Sequence, residues 1–157
     1  MLVKLYNLPP RQPPIDQCAK LGVIIRRPMP YEKSLVLDWI KTHFHVGWAD
    51  ETEVTLARQP ATCFIATEKG LIVGFAAYDA TVRGFFGPTG VAESQRGKGI
   101  GKALLIASLH GLAELGYAYG IVGQAEPKAR DFYAKSVGAT EIPDSDPSVY
   151  RDWLQRG

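Results

Sequence analysis

The sequence has little cysteine, little net charge and no long apolar run. Its two cysteines, Cys18 and Cys63, lie far apart and form no C-x-x-C pair. Free thiols in a reducing cytoplasm are therefore expected, rather than a disulfide framework. The net charge of +2 at pH 7 is too small to indicate binding to nucleic acid or to a membrane surface.

A membrane span and a secretory signal are also missing from the sequence. No apolar run approaches the roughly 18 residues that a transmembrane helix needs, and the N-terminus lacks a signal-peptide pattern. A hydrophobic fraction of 46% is ordinary for a soluble globular chain. We expect one domain over residues 1–157, with residues 1–20 as an N-terminal extension and residues 143–157 as a C-terminal tail. The apolar residues between positions 149 and 154 of this tail could dock onto the domain.

A metal centre is not expected. His43 and His45 are two positions apart, so on a helix their imidazoles point to different faces. No cysteine or third histidine accompanies them nearby, whereas a zinc site needs three or four ligands. We therefore predict that the chain has no metal-ligating residues.

The most informative stretch is residues 90–105, which read GVAESQRGKGIGKALL. Strand-like residues lead into Gly97, Gly99 and Gly101, and a strongly apolar helix pattern starts immediately afterwards. Because glycine has no Cβ, a ligand can approach the backbone closely there. The first N–H groups of the following helix lack partners and carry partial positive charge. Residues 96–102, which we call the glycine loop, therefore predict a site for a phosphate or pyrophosphate.

Two common phosphate-binding motifs do not fit the glycine loop. A Walker A motif needs Ser or Thr after Gly97-Lys98 and glycine at position 92, but Gly99 follows and position 92 is Ala. The dinucleotide fingerprint G-x-G-x-x-G needs glycine where the chain has Lys102. These mismatches argue against a nucleotide-binding module of either type.

Hydrophobic patterning predicts an alternation of strands and helices. Strands are predicted over residues 1–8, 21–27, 62–67, 71–78, 84–91, 117–122 and 139–142. Helices are predicted over residues 31–44, from an N-cap at Asp50, from the glycine loop to about Leu115, and from Pro127 to Gly138. The prolines between positions 9 and 14 predict an extended spacer that is not helical. Pro88 and its neighbouring glycines indicate a bulge or a splayed edge in the strand over residues 84–91.

The spacing Arg96-x-x-Gly99-x-Gly101, between a strand and a helix, resembles the acyl-CoA pyrophosphate loop of the GNAT (Gcn5-related N-acetyltransferase) superfamily. The stretch over residues 129–139, ARDFYAKSVGA, resembles a second motif of that family and carries its tyrosine as Tyr133. The order of the predicted elements is also the family's order. The resemblance implies an α/β (α+β) fold of the GNAT type, with a mixed central β-sheet and helices on both faces.

The resemblance implies an N-acyltransferase that moves an acetyl group from acetyl-CoA (coenzyme A) to an amine of a small molecule or peptide. The cofactor-binding residues that it implies are Val91, Ala92, Arg96, Gly97, Lys98, Gly99, Ile100, Gly101 and Lys102. The exposed strand edge at Val91 and Ala92 would pair with the peptide-like pantetheine arm, and a backbone N–H there would act on the thioester oxygen. Tyr133 matches the family tyrosine that protonates the departing thiolate.

The general base is less defined than the general acid. Glu93 lies nearest to the glycine loop, while Asp79 ends a predicted strand and Glu126 precedes the last helix. Any of these carboxylates could take a proton through water, yet each also has the position of an ordinary surface charge. Amines also lose protons to water, so that no dedicated base is required. Asp50 and Glu51 could favour a cationic amine.

Three positions depart from the family pattern. Glu126 stands where many members have an asparagine, the approach to the loop lacks a proline, and Ala139 replaces a phenylalanine. The first departure leaves one contact to the cofactor arm open. The alternative function is a non-catalytic acyl-CoA-binding sensor or interaction module, because the glycine loop is compatible with both functions and only turnover separates them. A homodimer is possible on this sequence.

Overall fold

The computed structural model describes residues 1–151 and 154. Within that part of the chain, the six strands are β1 (Leu2–Lys4), β2 (Val23–Arg26), β3 (Cys63–Glu68), β4 (Leu71–Tyr78), β5 (Phe85–Val91) and β6 (Tyr119–Val122). The α-helices there are α1 (Gln12–Lys20), α2 (Lys33–His43), α3 (Val46–Leu56), α4 (Ile100–Glu114) and α5 (Pro127–Val137). None of these helices has the length and apolar character to cross a membrane. Asp152 and Trp153, two of the tail residues between positions 149 and 154 that were predicted to dock, lie outside the described residues.

The strands form one mixed sheet in the order β1-β6-β5-β4-β3-β2. All neighbouring pairs are antiparallel except β5 and β6, which are parallel. Helices cover both faces of this sheet, as predicted from the family resemblance. On one face, α1, α4 and α5 share a core with β-strand side chains, and on the other face α2 and α3 enclose a second, smaller core. The predicted fold class is therefore confirmed.

Helix α4 is the centre of the larger core. Ten of its 15 residues are buried, and they lie on nearly all sides of the helix. A helix that is apolar all round must be enclosed by other elements, and α4 is packed against the sheet, α1 and the turn after β1. Since α4 follows the glycine loop directly, the core fixes the position of the helix end at that loop.

The N-terminal region differs from its prediction. Residues 9–14 were expected to form an extended spacer, but α1 begins at Gln12. Pro13 and Pro14 lie in the first helical turn. The N–H groups of that turn have no acceptor within the helix, so the absence of an N–H in proline costs no hydrogen bond there. Buried Cys18 then anchors α1 in the larger core. The prolines therefore start this helix.

Two further boundaries were predicted wrongly. Helix α3 begins at Val46 with His45 at its N-cap, so Asp50 lies inside the helix and does not cap it. The predicted strand over residues 139–142 is reduced to one bridge between Thr140 and Leu2. Strand β1 pairs antiparallel with β6 and occupies the edge of the sheet, which leaves no edge of β6 for another strand.

The strand over residues 84–91 is splayed, as its glycines and proline predicted. Strands β5 and β6 pair only at Phe85 with Ile121 and at Phe86 with Val122. Strand β6 ends there, whereas β5 continues along β4 to Val91 after a shift in register. The edge of β5 beyond Phe86 therefore faces an opening, which we call the β5–β6 gap.

Candidate active site

The glycine loop forms an open cradle at the start of α4. Gly97 and Gly99 have φ values of +78° and +81°, a conformation that side chains disfavour, and a Cβ at either position would meet nothing within 4 Å. Gly99 is the N-cap, and its carbonyl accepts the Ala103 N–H at 3.0 Å. The N–H groups of residues 100–102 therefore lie in the first turn without helical acceptors. This arrangement can bind an anion.

The charges around the cradle favour the same kind of ligand. The first turn of α4 carries no acidic side chain, and Arg96, Lys98 and Lys102 are all exposed beside it. The Lys98 Nζ donates to Gln95 Oε1 at 2.6 Å, and Gln95 Nε2 donates to Glu68 Oε2 at 2.9 Å. This chain of hydrogen bonds ties the loop to the end of β3, so the cradle is held in place before a ligand arrives.

The two strand residues predicted to hold the cofactor arm differ in their backbone bonds. The Ala92 N–H donates to the Val73 carbonyl at 2.9 Å, and the Ala92 carbonyl accepts the Gln95 N–H at 2.9 Å. Both polar backbone groups of Ala92 are thus used inside the fold. Because amide directions alternate along a strand, the Val91 N–H points away from β4, towards the β5–β6 gap.

Tyr133 lies at the point where β5 and β6 separate. Its buried ring packs against Phe86, the last β5 residue paired with β6, with 6.3 Å between ring centroids. Burial raises the pKa of Tyr133, and the nearby Glu126 carboxylate raises it further. The hydroxyl therefore stays protonated at neutral pH. Within residues 1–151 and 154 it has no hydrogen-bond partner, so its proton can be given to a ligand.

The three carboxylates considered as bases have different surroundings. Asp79 is buried, accepts the Gly84 N–H at 2.6 Å and pairs with Arg58 at 3.4 Å, so it holds the turn before β5. Glu126 is exposed and pairs with Lys128 at 3.2 Å. Glu93 is exposed in the short 3₁₀ turn Glu93–Gln95, directly after the β5 edge. Of these three, Glu93 is the carboxylate beside the glycine loop.

A cluster of aromatic side chains that the sequence analysis did not identify covers the face of β5 that is turned away from α4. The Phe44 ring lies so close to Gly90 that a Cβ there would overlap it. Trp48 packs beside Phe44, with centroids 5.2 Å apart, and both rings contact Phe75. A glycine inside a strand often marks a close approach of this kind, so Gly90 was the available signal.

The C-terminal tail contacts the chain just beyond the end of β6. Tyr150 packs onto Gly123, just beyond the end of β6, where a Cβ would overlap its hydroxyl. Burial raises the pKa of Tyr150, and the Glu51 carboxylate on α3 also raises it. Glu51 accepts a hydrogen bond from the Thr81 hydroxyl, whereas its neighbour Asp50 is exposed. The Glu51 carboxylate is therefore near enough to Tyr150 to affect it electrostatically.

The two histidines considered for metal binding are engaged with aromatic neighbours. His43 stacks on Trp39 at a centroid distance of 4.4 Å, and His45 packs against Trp48 at 5.0 Å. In the part of the chain that the structure describes, no group of three His, Cys, Asp or Glu residues could hold a metal ion.

Comparison with known proteins identifies the family. The model of the acetyltransferase (GNAT) family matches residues 30–139, which is well over half of the sequence. The chain belongs to this family. Among curated proteins, none matches the sequence significantly.

Solved structures share the fold at low sequence identity. A GCN5-related N-acetyltransferase from Sphaerobacter thermophilus aligns with a TM-score of 0.65 and 20% identity, over 86% of this chain and 45% of that protein. A GNAT family acetyltransferase from Brucella melitensis, solved with acetyl-CoA, aligns with a TM-score of 0.51 and 22% identity, over 70% and 80% of the two chains. An aminoglycoside acetyltransferase from an uncultured soil metagenomic sample, solved with sisomicin, aligns with a TM-score of 0.57 and 18% identity, over 78% and 93%. This chain thus spans less than half the length of the Sphaerobacter protein.

Proposed function

We propose that the chain is an acyl-CoA-dependent N-acyltransferase that moves an acetyl group from acetyl-CoA to an amine of a small molecule or peptide. The observation that carries the proposal is the junction of the open β5 edge with the glycine cradle at the start of α4. Tyr133 lies at the inner end of the same gap. The structures solved with acetyl-CoA and with an amine-bearing aminoglycoside support this choice of donor and acceptor.

The cradle fits the pyrophosphate of the donor. The unpaired N–H groups of residues 100–102 supply directed donors, the helix end adds partial positive charge, and the absent Cβ atoms of Gly97 and Gly99 leave room for the phosphate oxygens. Arg96, Lys98 and Lys102 add positive charge around the cradle. Acetyl-CoA, when bound, supplies an acyl group activated as a thioester.

Residues of the gap would perform the remaining steps. The Val91 N–H, directed into the gap, would hydrogen-bond the pantetheine arm or the thioester oxygen, where it stabilises developing negative charge. The Tyr133 hydroxyl, kept protonated by its raised pKa, would give its proton to the departing sulfur. Glu93 would accept the amine proton through water.

We also propose the domain organisation, the cellular compartment and the side of acceptor entry for this activity. The chain would act as a single domain over residues 1–157, with the N-terminal extension and C-terminal tail as parts of it. Both cysteines are free and buried, which suits the reducing conditions of a cytoplasm. Amine acceptors would enter on the side of the sheet that carries α3, where Glu51 supplies a negative charge.

The direct experiment is an amine panel with acetyl-CoA, followed by detection of the free CoA thiol. The panel should contain aminoglycosides, diamines, amino acids and short peptides with free amino groups. We expect thiol release above the rate of spontaneous hydrolysis with at least one amine, together with a mass increase of the acceptor by one acetyl group. CoA binding without turnover on any of these acceptors would favour the non-catalytic sensor.

The position of Glu51 predicts a preference for cationic amines. Glu51→Gln keeps the hydrogen bond with Thr81 but removes the charge, so KM for a cationic acceptor should rise about fivefold, the loss expected for a partly screened ion pair of ~1 kcal/mol. Asp50→Asn is the matched control, since Asp50 is adjacent but exposed. Steady-state kinetics should show an unchanged KM for acetyl-CoA in both variants. Equal acceptor KM values in Glu51→Gln and wild type would contradict the assignment.

A further inference from the structure

A cleft of about 500 Å³, which we call the α1 cleft, lies between α1 and the glycine loop. Gly99 and Lys102 form its inner side, so it opens directly from the cradle. Its outer side is formed by one face of α1, from Pro13 to Lys20. Helix α1, which forms this wall, lies before residues 30–139, the segment that the family model matches.

The wall is fixed to the rest of the molecule. Arg11 pairs with Glu114 at 2.8 Å, which joins the start of α1 to the end of α4. The His110 imidazole on α4 is 2.9 Å from the Pro9 carbonyl oxygen, and Cys18 is buried in the core. The cleft therefore has a preformed shape, and a ligand that fills it does not have to order α1.

The lining of the α1 cleft combines three kinds of surface. The rings of Pro13 and Pro14 are apolar and rigid, the side chains of Asp16 and Gln17 are polar, and Lys20 and Lys102 bring two ammonium groups. Asp16 already accepts the Gln12 Nε2 at 2.8 Å, so part of its carboxylate is engaged within α1. An apolar surface beside hydrogen-bonding groups and two cations suits a phosphorylated nucleoside.

We propose that the α1 cleft binds the 3′-phosphorylated nucleoside of CoA, with Lys20 and Lys102 at the 3′-phosphate and the proline rings against the adenine. This inference rests on the proposed function, because it continues the donor outward from the pyrophosphate cradle. The 3′-phosphate carries nearly two negative charges at pH 7. Two lysines can neutralise that charge. The Asp16 carboxylate can accept hydrogen bonds from the adenine or ribose, and the Gln17 amide can both donate and accept.

The test compares CoA with dephospho-CoA, which lacks only the 3′-phosphate, by isothermal titration calorimetry. Wild type should bind CoA about tenfold more tightly than dephospho-CoA, as expected when a phosphate loses two partly screened ion pairs. Lys20→Gln should weaken CoA binding about three- to tenfold and leave dephospho-CoA binding unchanged. The preference of wild type for CoA should shrink as salt is raised.

Lys4→Gln is the matched control, since it removes the same charge from an exposed residue on the edge strand β1. It should leave both affinities within a factor of about two, the effect of a distant screened charge. Equal affinity of wild type for the two ligands would overturn the subsite and leave the pyrophosphate cradle intact. So would an equal loss of both affinities in Lys20→Gln. Failure of wild type to bind either ligand would overturn the proposed function as well.

Discussion

Gly99→Glu is expected to weaken CoA binding at least 100-fold. The new side chain would start at the N-cap of α4, inside the cradle, and its carboxylate would occupy the place of the phosphate oxygens. A carboxylate at a helix N-terminus interacts favourably with the same partial charge that would hold the pyrophosphate, so it competes with the ligand. It also repels the ligand's negative charge. Calorimetry with CoA measures the loss directly.

Two control variants separate this effect from backbone strain. Gly99→Ala imposes the left-handed strain of φ +81°, about 1–2 kcal/mol, without adding charge. Gly116→Glu adds the same side chain at another left-handed glycine with open space, beyond the opposite end of α4. Gly116→Glu should retain the CoA affinity of wild type, and Gly99→Ala should lose much less affinity than Gly99→Glu. If Gly99→Glu binds CoA as wild type does, the glycine loop is not the cofactor site.

Tyr133→Phe is expected to lower kcat about 100-fold while the fold and the CoA affinity are retained. Phenylalanine keeps the ring that packs against Phe86 and removes only the hydroxyl. General acid catalysis typically raises a reaction rate about 10²–10⁴-fold. A thiol with a pKa near ~8.5 is already a fair leaving group, so we expect a rate loss at the low end of that range. The loss should appear in kcat because the proton matters only as charge develops on sulfur.

Single-turnover kinetics and the pH profile provide the check on Tyr133. Because burial and Glu126 raise the pKa of Tyr133, its proton is present below the ordinary tyrosine value of about 10 and is lost only above it. Ionisation of Tyr133 should therefore not lower the wild-type rate between pH 6 and about 10. Tyr119→Phe, at the exposed start of β6, where the hydroxyl contacts Tyr6, is the matched control and should turn over normally. A wild-type transfer rate in Tyr133→Phe would make this residue a core aromatic.

The parts of the site that could be predicted from sequence are contiguous in the chain. Gly97, Gly99 and Gly101 lie within five positions, so their spacing alone predicted a cradle before a helix, and the structure has that cradle. Tyr133 was predicted as a site residue in the same way, from a motif within α5. The strands β3 and β4 were also predicted closely, because a tight hairpin pairs residues that are near in sequence.

The features that could not be predicted depend on contacts between distant segments. The overlap of Phe44 with Gly90 and the position of Tyr150 on Gly123 each need the fold before the partners are known. The backbone bonds of Ala92 depend on the register of β5 against β4, which a register shift in that pair alters. The start of α1 was missed for a local reason, since prolines both prevent and begin helices, depending on position.

Strands β3, β4 and β5 follow one another in sequence and pair as neighbours, so their contacts can form early in folding. Strand β1 must instead find β6 across most of the chain, with Leu2 opposite Ile121. Such a pairing closes a long loop, and contacts of this kind tend to form late. Because β1 holds the outer edge of β6, and β6 borders the β5–β6 gap, we expect this gap to take its final shape only in the last stage of folding.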